Sequence, residues 1–209
     1  NRVQVFDSSG NFISQWEASI PYSPLIGNCN TGQTNPRGIT VDGSDNVYVT
    51  FIAKVKKYDS SGAFMTEWGS CGSGDGQFQD AVAIDVGPNG YVYVLGSSYT
   101  QNVQVFDSSG TFLYKWGGKG TANGQFDYPG GIAIDSSGDV YVADSNNYRI
   151  QKFDANGNFI TSWGSWGDGD GQFMLIGAID VDENDNVYTV DESGVSPFGQ
   201  HGRIQKFDS

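Results

Sequence analysis

The sequence predicts an all-β fold built from repeated four-stranded antiparallel units, and three observations lead to this prediction. Val, Ile, Tyr, Phe and Trp occur in short runs between Gly, Asn, Asp and Ser, and helix-period stripes are absent. The same pattern of runs recurs along the chain at a nearly constant spacing. The links between neighbouring runs are short and rich in turn residues, as in DSSGD and DANGN. A chain of 209 residues is long enough to bury a substantial core with such strands.

The repeat is clearest in one strand, which occurs five times. Its copies begin at Arg2 (RVQVFDSSG), Lys54 (KVKKYDSSG), Asn102 (NVQVFDSSG), Arg149 (RIQKFDANG) and Arg203 (RIQKFDS), and successive copies are 52, 48, 47 and 54 residues apart. A period of about 40 to 50 residues is typical of a four-stranded propeller blade. The sequence therefore predicts a β-propeller with about four blades in this chain, either as a closed ring or as part of a larger or tandem propeller.

Four strands can be assigned within each repeat, and we name them a to d in chain order. In the clearest repeat, strand a is GIAID, strand b is VYVAD, strand c is RIQKFD and strand d is NFITSW. Asp in the a–b and c–d links can bond its own backbone, and Gly there supplies a positive φ. Because the aromatic residues recur at equivalent positions, we expect them to fill the wedge between neighbouring blades rather than to bind a ligand.

The strand count leaves the closure of the propeller open. The predicted single domain, 1–209, divides into units at about 1–17, 38–80, 81–130, 131–176 and 177–209, which give seventeen strands, one more than four blades need. The chain could close as a four-bladed ring with a redundant last strand c, form an open arc, or be one unit of a tandem array or polymer. Since the chain starts and ends on strand c, we expect a segment of something longer or a chain that engages a neighbour.

One repeat also resembles a known family. The unit GQFDYPGGIAIDSSGDVYVADSNNYRIQKFDANGNFITSWG is similar to an NHL repeat, and weaker copies cover nearly the whole chain. The resemblance implies a β-propeller, commonly of six blades. It also raises two functions found among propellers, which are RNA binding through a basic face and lyase or lactone hydrolase chemistry at metal-binding His, Glu and Asp groups around the central channel.

The composition argues against several classes of function. The net charge is −13 and only 11 residues are basic, so we expect no nucleic-acid partner. No stretch is long and apolar enough for a membrane span, so we expect no membrane insertion. A single histidine, His201, argues against a His-ligated zinc or iron site and against a Ser-His-Asp triad, and we name no catalytic residue.

Irregular loops mark the face on which binding is expected. In a propeller the d–a and b–c links emerge on one face, and here that face carries two non-repeated loops, Ala18–Arg37 and Glu192–Gly202. The alternative is that surface loops merely tolerate insertions. The candidate ligand- or partner-binding residues are Tyr22, Asn28, Asn30, Arg37, Glu192, Phe198 and His201.

Two further groups of residues suggest a cation site and a disulfide. Asp180, Asp182 and Asp185 place oxygen ligands at spacings found in calcium loops, although the same stretch aligns with an ordinary hairpin. Asp180 falls inside strand a, where a buried carboxylate would need a partner or a cation such as Ca²⁺. Cys29 and Cys71 lie in successive d–a links and could form a disulfide; free thiols or bridges between chains are the alternatives.

The sequence as a whole favours a non-enzymatic structural or protein–protein interaction propeller. We expect it to be secreted, extracellular or at the cell surface, to have protein partners that include copies of itself, and to self-assemble into a polymer or filament. The alternative function is a ligand- or cation-sensing propeller of a larger receptor-like protein. A propeller lyase or hydrolase comes third.

Overall fold

The computed structural model describes residues 1–19, 35–192 and 202–208, with the backbone only at Glu192. Within these residues the chain forms β-strands and one short 3₁₀ turn at Ser145–Asn147. The strands of the first two sheets are β1 (Arg2–Phe6), β2 (Phe12–Glu17), β3 (Ile39–Val41), β4 (Val47–Phe51), β5 (Lys54–Tyr58) and β6 (Phe64–Trp68). Two short strands, β7 (Ser70–Cys71) and β8 (Gln77–Phe78), pair in parallel within the following link.

The remaining strands form three further sheets. Their bounds are β9 (Ala81–Val86), β10 (Val92–Gly96), β11 (Asn102–Phe106), β12 (Phe112–Gly117), β13 (Gly131–Ile134), β14 (Val140–Asp144), β15 (Arg149–Phe153), β16 (Phe159–Trp163), β17 (Ile176–Val181), β18 (Val187–Glu192) and β19 (Gly202–Phe207). No helix of the described residues is long and apolar enough to cross a membrane.

The sheets are arranged in a ring as the blades of a four-bladed β-propeller, which confirms the predicted fold class. Three blades are complete and antiparallel, with the orders β3-β4-β5-β6, β9-β10-β11-β12 and β13-β14-β15-β16. A three-stranded sheet, β17-β18-β19, follows them, and the hairpin β1-β2 precedes them as a separate sheet. The inner strands β3, β9, β13 and β17 all line one central cavity. We call β1-β2 and β17-β18-β19 the end sheets.

Aromatic side chains hold neighbouring blades together, as the repeat predicts. The Trp that ends strand d packs against the aromatic residue of strand c in the next blade, with ring centroids 5.8 Å apart for Trp68 and Phe106 and 4.4 Å apart for Trp116 and Phe153. A glycine in the next c–d turn lies under the same ring, because a Cβ added at Gly157 would lie 2.3 Å from Trp116. This close approach makes the turn glycine part of the contact between blades.

The tight c–d turns on one face of the propeller contain the Asp hydrogen bonds and the positive-φ glycines that the sequence predicts. In each c–d turn an Asp carboxylate accepts the N–H groups two and four residues further along the chain, as Asp154 does from Asn156 and Asn158 at 2.9 Å each. The glycine three residues after that Asp has a positive φ, as at Gly157 (83°). Such turns fix the strand register with local interactions.

The opposite face, which we call the loop face, is built from the d–a and b–c links. Here the glutamine of strand c reaches across to the d–a link: Gln151 Oε1 accepts the N–H of Gly124 at 3.0 Å, and its amide donates to the carbonyl of Gln125 at 2.7 Å. The same two bonds recur from Gln104 to Gly76 and Gln77. The loop face is therefore held by side chains of the blades and not only by its own turns.

Candidate interaction site

The candidate binding residues of the two long loops fall mostly outside the described residues. Tyr22, Asn28, Asn30, Phe198 and His201 lie there, so their roles stay predictions. Glu192 ends β18, and its backbone pairs with Gly202. Arg37 leads into β3 and lies 3.3 Å from a carboxylate oxygen of Asp80, which also accepts the hydroxyl proton of Ser98 at 2.6 Å.

The disulfide prediction stays partly open. Cys71 at the end of β7 is disulfide-bonded in the structure, whereas Cys29 lies outside the described residues. The Cys29–Cys71 pairing therefore stays a prediction.

The three aspartates of the suggested cation site do not converge. Asp182 accepts both amide protons of Asn186 and the hydroxyl proton of Tyr188, while Asp185 accepts from the backbone and hydroxyl of Ser136 at 2.8 Å each. Among the described residues no group of three or more His, Cys, Asp or Glu is placed to hold a metal ion. This geometry does not support the suggested site.

The expectation that Asp180 is buried is wrong. Its side chain is exposed, and one carboxylate oxygen accepts the N–H of the next residue at 2.9 Å. Asp180 lines the central cavity, so its carboxylate is accessible there and is not buried.

A different carboxylate, Asp85 on β9, is the one held inside the ring. It accepts from the hydroxyl of Thr40 at 2.8 Å and from the N–H of Ile134 at 2.9 Å. Burial raises the pKa of Asp85, the nearby charge of Asp180 acts in the same direction, and these hydrogen bonds oppose them. Asp85 thus links three neighbouring inner strands at the cavity.

Two buried carboxylates at the ends of strand b were missed by the sequence reasoning. Asp144 is fully buried and accepts from Arg149 Nε at 2.8 Å and from Gln151 Nε2 at 3.0 Å. Asp191 occupies the same place in the last sheet and accepts from Arg203 Nε at 3.1 Å. The signal was present, since antiparallel pairing of strands b and c puts the final Asp of VYVAD opposite the first Arg of RIQKF.

The central cavity has a volume of about 540 Å³, and its lining combines aliphatic side chains with the carboxylates of Asp85 and Asp180. It is lined by Ile39 of β3 on one side and by Val190 and Ile204 of β18 and β19 on another. These side chains are 57%, 40% and 72% exposed. The cavity therefore separates the inner strand of the first complete blade from the last end sheet.

The equivalent residues in the interior of the propeller are buried. Val55, Val103 and Ile150, which correspond to Ile204, are fully buried, and Ile132, which corresponds to Ile39, is 6% exposed. The same repeat positions are thus core inside the ring and surface at its two ends.

A smaller groove of about 370 Å³ opens on the loop face between the last blades. Tyr128 and Leu175 lie on its walls and are largely exposed, and Ser145 and Asn146 supply polar groups. Tyr128 has a φ of 47°, which turns the d–a link at this point. The groove combines an apolar surface with a few polar groups, as binding sites for peptides and small molecules do.

Comparison with known families agrees with this architecture. Residues 126–153 match the NHL repeat, and residues 22–50 match the β-propeller repeat. This chain is a β-propeller that contains an NHL repeat. No curated protein matches its sequence.

Solved structures similar to this propeller are similar in fold alone, because their sequences are distant. A protein of unknown function from Bacteroides caccae is 13% identical with a TM-score of 0.67, over 96% of this chain and 69% of that one. Virginiamycin B lyase from Staphylococcus aureus is 14% identical with a TM-score of 0.58, over 83% and 55%. The RRP9 WD40 repeats are 13% identical with a TM-score of 0.58, over 75% and 45%. The chain thus spans about half the length of the last two.

Proposed function

We propose that this propeller is a non-enzymatic protein-interaction module that binds further copies of itself through apolar side chains exposed on β3 and on the last end sheet. The observation that carries the proposal is the exposure of Ile39, Val190 and Ile204 at repeat positions that are buried inside the ring. Large exposed apolar patches on a soluble domain mark interaction surfaces.

An extracellular location is part of the same proposal. The disulfide at Cys71 supports it, because structural disulfides persist in oxidising compartments. The charge of −13 makes copies repel each other at low ionic strength, so we expect association to strengthen as salt is added. Polymers or filaments would form if the contact between copies does not close on itself.

Analytical ultracentrifugation over a concentration series tests the self-association. We expect a species of at least twice the 22.5 kDa chain mass, and we expect Ile204→Ser to reduce it more strongly than Ile160→Ser. Ile160 is the matched control because it is a largely exposed isoleucine on the outer strand β16 of a complete blade. A wild-type chain that stays a monomer at every concentration and salt level contradicts the proposal.

The groove on the loop face favours a second candidate function, which is recognition of a peptide or small ligand by Tyr128 and Leu175. These side chains are exposed beside the polar groups of Ser145 and Asn146. Screening a peptide library against the wild-type chain and Leu175→Asp tests it. Binding that does not distinguish the two proteins would remove the groove as the site.

A further inference from the structure

We propose that the central cavity binds a small organic cation in which a primary ammonium group is joined to an apolar body. The carboxylates of Asp85 and Asp180 hold the ammonium group, and the aliphatic walls of the cavity cover the apolar body. This inference goes beyond the proposed self-association and does not depend on it.

The register of the inner strands places one side chain of each sheet at an equivalent position beside the cavity. The residue that pairs with the central Tyr of strand b is Thr40 on β3, Asp85 on β9, Ala133 on β13 and Asp180 on β17. Of these four residues, Thr40, Asp85 and Asp180 line the cavity. The repeat thus brings two carboxylates and a hydroxyl to the same cavity from three different sheets.

The fold does not require an acidic residue at this position. The complete blade β13-β16 has a buried alanine there, Ala133. Two carboxylates that line one cavity cost folding free energy, because burial and like charge both disfavour the ionised form. Burial raises the pKa of Asp85, and the charge of Asp180 acts in the same direction. Titratable groups kept in such an unfavourable environment are typical of functional sites.

The two carboxylates keep capacity to accept further hydrogen bonds. One oxygen of Asp85 accepts from the hydroxyl of Thr40 and the N–H of Val86, at 2.8 Å each, and the other accepts the N–H of Ile134 at 2.9 Å. Within the described residues the carboxylate of Asp180 accepts only the N–H of the next residue, at 2.9 Å. Because a carboxylate can accept about four hydrogen bonds, Asp85 is held in place and both groups can still bind a donor.

The charge of the cavity favours an organic cation. Among the described residues that line it, none is Lys, Arg or His, and the net charge of −13 adds to the attraction of a cation. No group of three or more His, Cys, Asp or Glu in the described part of the chain is placed to hold a metal ion. An ammonium group has three N–H donors and needs only hydrogen-bond acceptors, which Asp85, Asp180 and the Thr40 hydroxyl supply.

The walls of the cavity match an apolar body. An isoleucine stands just before the position of Asp85 in each of the four inner strands, and all four copies line the cavity: Ile39, Ile84, Ile132 and Ile179. The cavity volume of about 540 Å³ suits a small molecule. A bare cation would leave the aliphatic walls in contact with water, whereas an alkyl chain attached to the ammonium group covers them.

Saturation-transfer NMR of the full chain with n-hexylamine as the probe tests this ligand class. The protein is kept at a concentration at which it is a monomer, because the proposed association would compete for Ile39. We expect saturable binding of n-hexylamine. Its affinity should be at least roughly tenfold higher than that of n-hexanol, which lacks the charge, and that of methylamine, which lacks the apolar body.

Asp180→Asn removes one charge from the cavity and keeps an oxygen that can accept the N–H of Val181. Its side chain is exposed, so we expect the fold to be unchanged and the affinity for n-hexylamine to fall roughly tenfold. Asp170→Asn is the matched control, because Asp170 is an exposed aspartate of the loop face and its replacement changes the net charge equally. This control should bind n-hexylamine within about twofold of the wild type.

Three results would overturn the inference. Binding of n-hexylamine that does not saturate, or that is equal in Asp180→Asn and Asp170→Asn, removes the cavity as the site. Binding of n-hexanol as tight as that of n-hexylamine assigns the cavity to neutral apolar ligands. Binding of methylamine as tight as that of n-hexylamine reduces the effect to attraction of any cation. The ultracentrifugation that tests self-association is a separate measurement, so failure of either proposal is distinguishable from failure of the other.

Discussion

The complete blade β13-β16 and the end sheet β17-β19 carry nearly the same sequence pattern in different surroundings. Their polar contacts are alike, since a buried Asp at the end of strand b binds the Arg of strand c in both, Asp144 with Arg149 and Asp191 with Arg203. Their apolar faces differ, because Ile150 is fully buried and Ile204 is 72% exposed. The hydrogen bonds within a repeat thus depend on the sequence of that repeat. The burial of its apolar side chains depends instead on whether a neighbouring blade covers them.

The two regions should differ most in how much stability is lost when these aspartates are replaced. Asp144→Ala should lower the free energy of unfolding by about 3 to 5 kcal/mol, because it removes a fully buried carboxylate and leaves the half-buried Arg149 without its partner. Asp191→Ala should cost less, about 2 kcal/mol, since the Arg203 side chain is more exposed than that of Arg149.

Urea denaturation at low protein concentration, followed by tryptophan fluorescence, measures both losses. At low concentration the proposed self-association would not stabilise the end sheet. Equal losses would mean that the end sheet is as well shielded as a complete blade, contrary to the exposure of its residues.

The role of a residue could be predicted from the sequence wherever the same residue recurs at the same position of each repeat. The Trp and Gly positions, the Asp turns and the order of strands a to d recur with the same spacing, so their contacts could be inferred from alignment of the copies. The surroundings of Asp180 could not, because alignment assigns it to strand a but does not tell whether another blade covers that strand. The role of Asp85 was hidden for the same reason, since its partners Thr40 and Ile134 come from two other blades.

A smaller effect is expected at Thr189, where the end sheet departs from the repeat. Its hydroxyl is buried without a hydrogen-bond partner in the described part of the chain, and the equivalent residues Val49, Val94 and Val142 are buried valines. Thr189→Val removes an unsatisfied polar group and should raise the free energy of unfolding by about 1 kcal/mol. Thr161→Val, on an exposed strand position, should change it by less than about 0.5 kcal/mol in the same titration. A destabilised Thr189→Val would mean that the hydroxyl has a partner in solution.

The smallest difference is expected in the a–b turns, where the complete blade β3-β6 and the end sheet β17-β19 should behave alike. Burial alone would raise the pKa of Asp42, but hydrogen bonds from Asn46, Ser44 and Tyr48 outweigh it and lower the pKa to about 2. Hydrogen bonds from Asn186, Asn184 and Tyr188 lower the pKa of Asp182 to about 2 as well.

Because both folded-state pKa values lie below the unfolded value of about 3.9, these turns stabilise the fold above that pH. Their contribution should be lost as the pH falls from about 4 to about 2. Carboxyl chemical shifts followed by NMR in acid should give midpoints near pH 2 for both aspartates. A midpoint near 4 for Asp182 alone would show that the end sheet loses its turn in solution, and the difference between the two regions would then extend from the apolar face to the local hydrogen bonds.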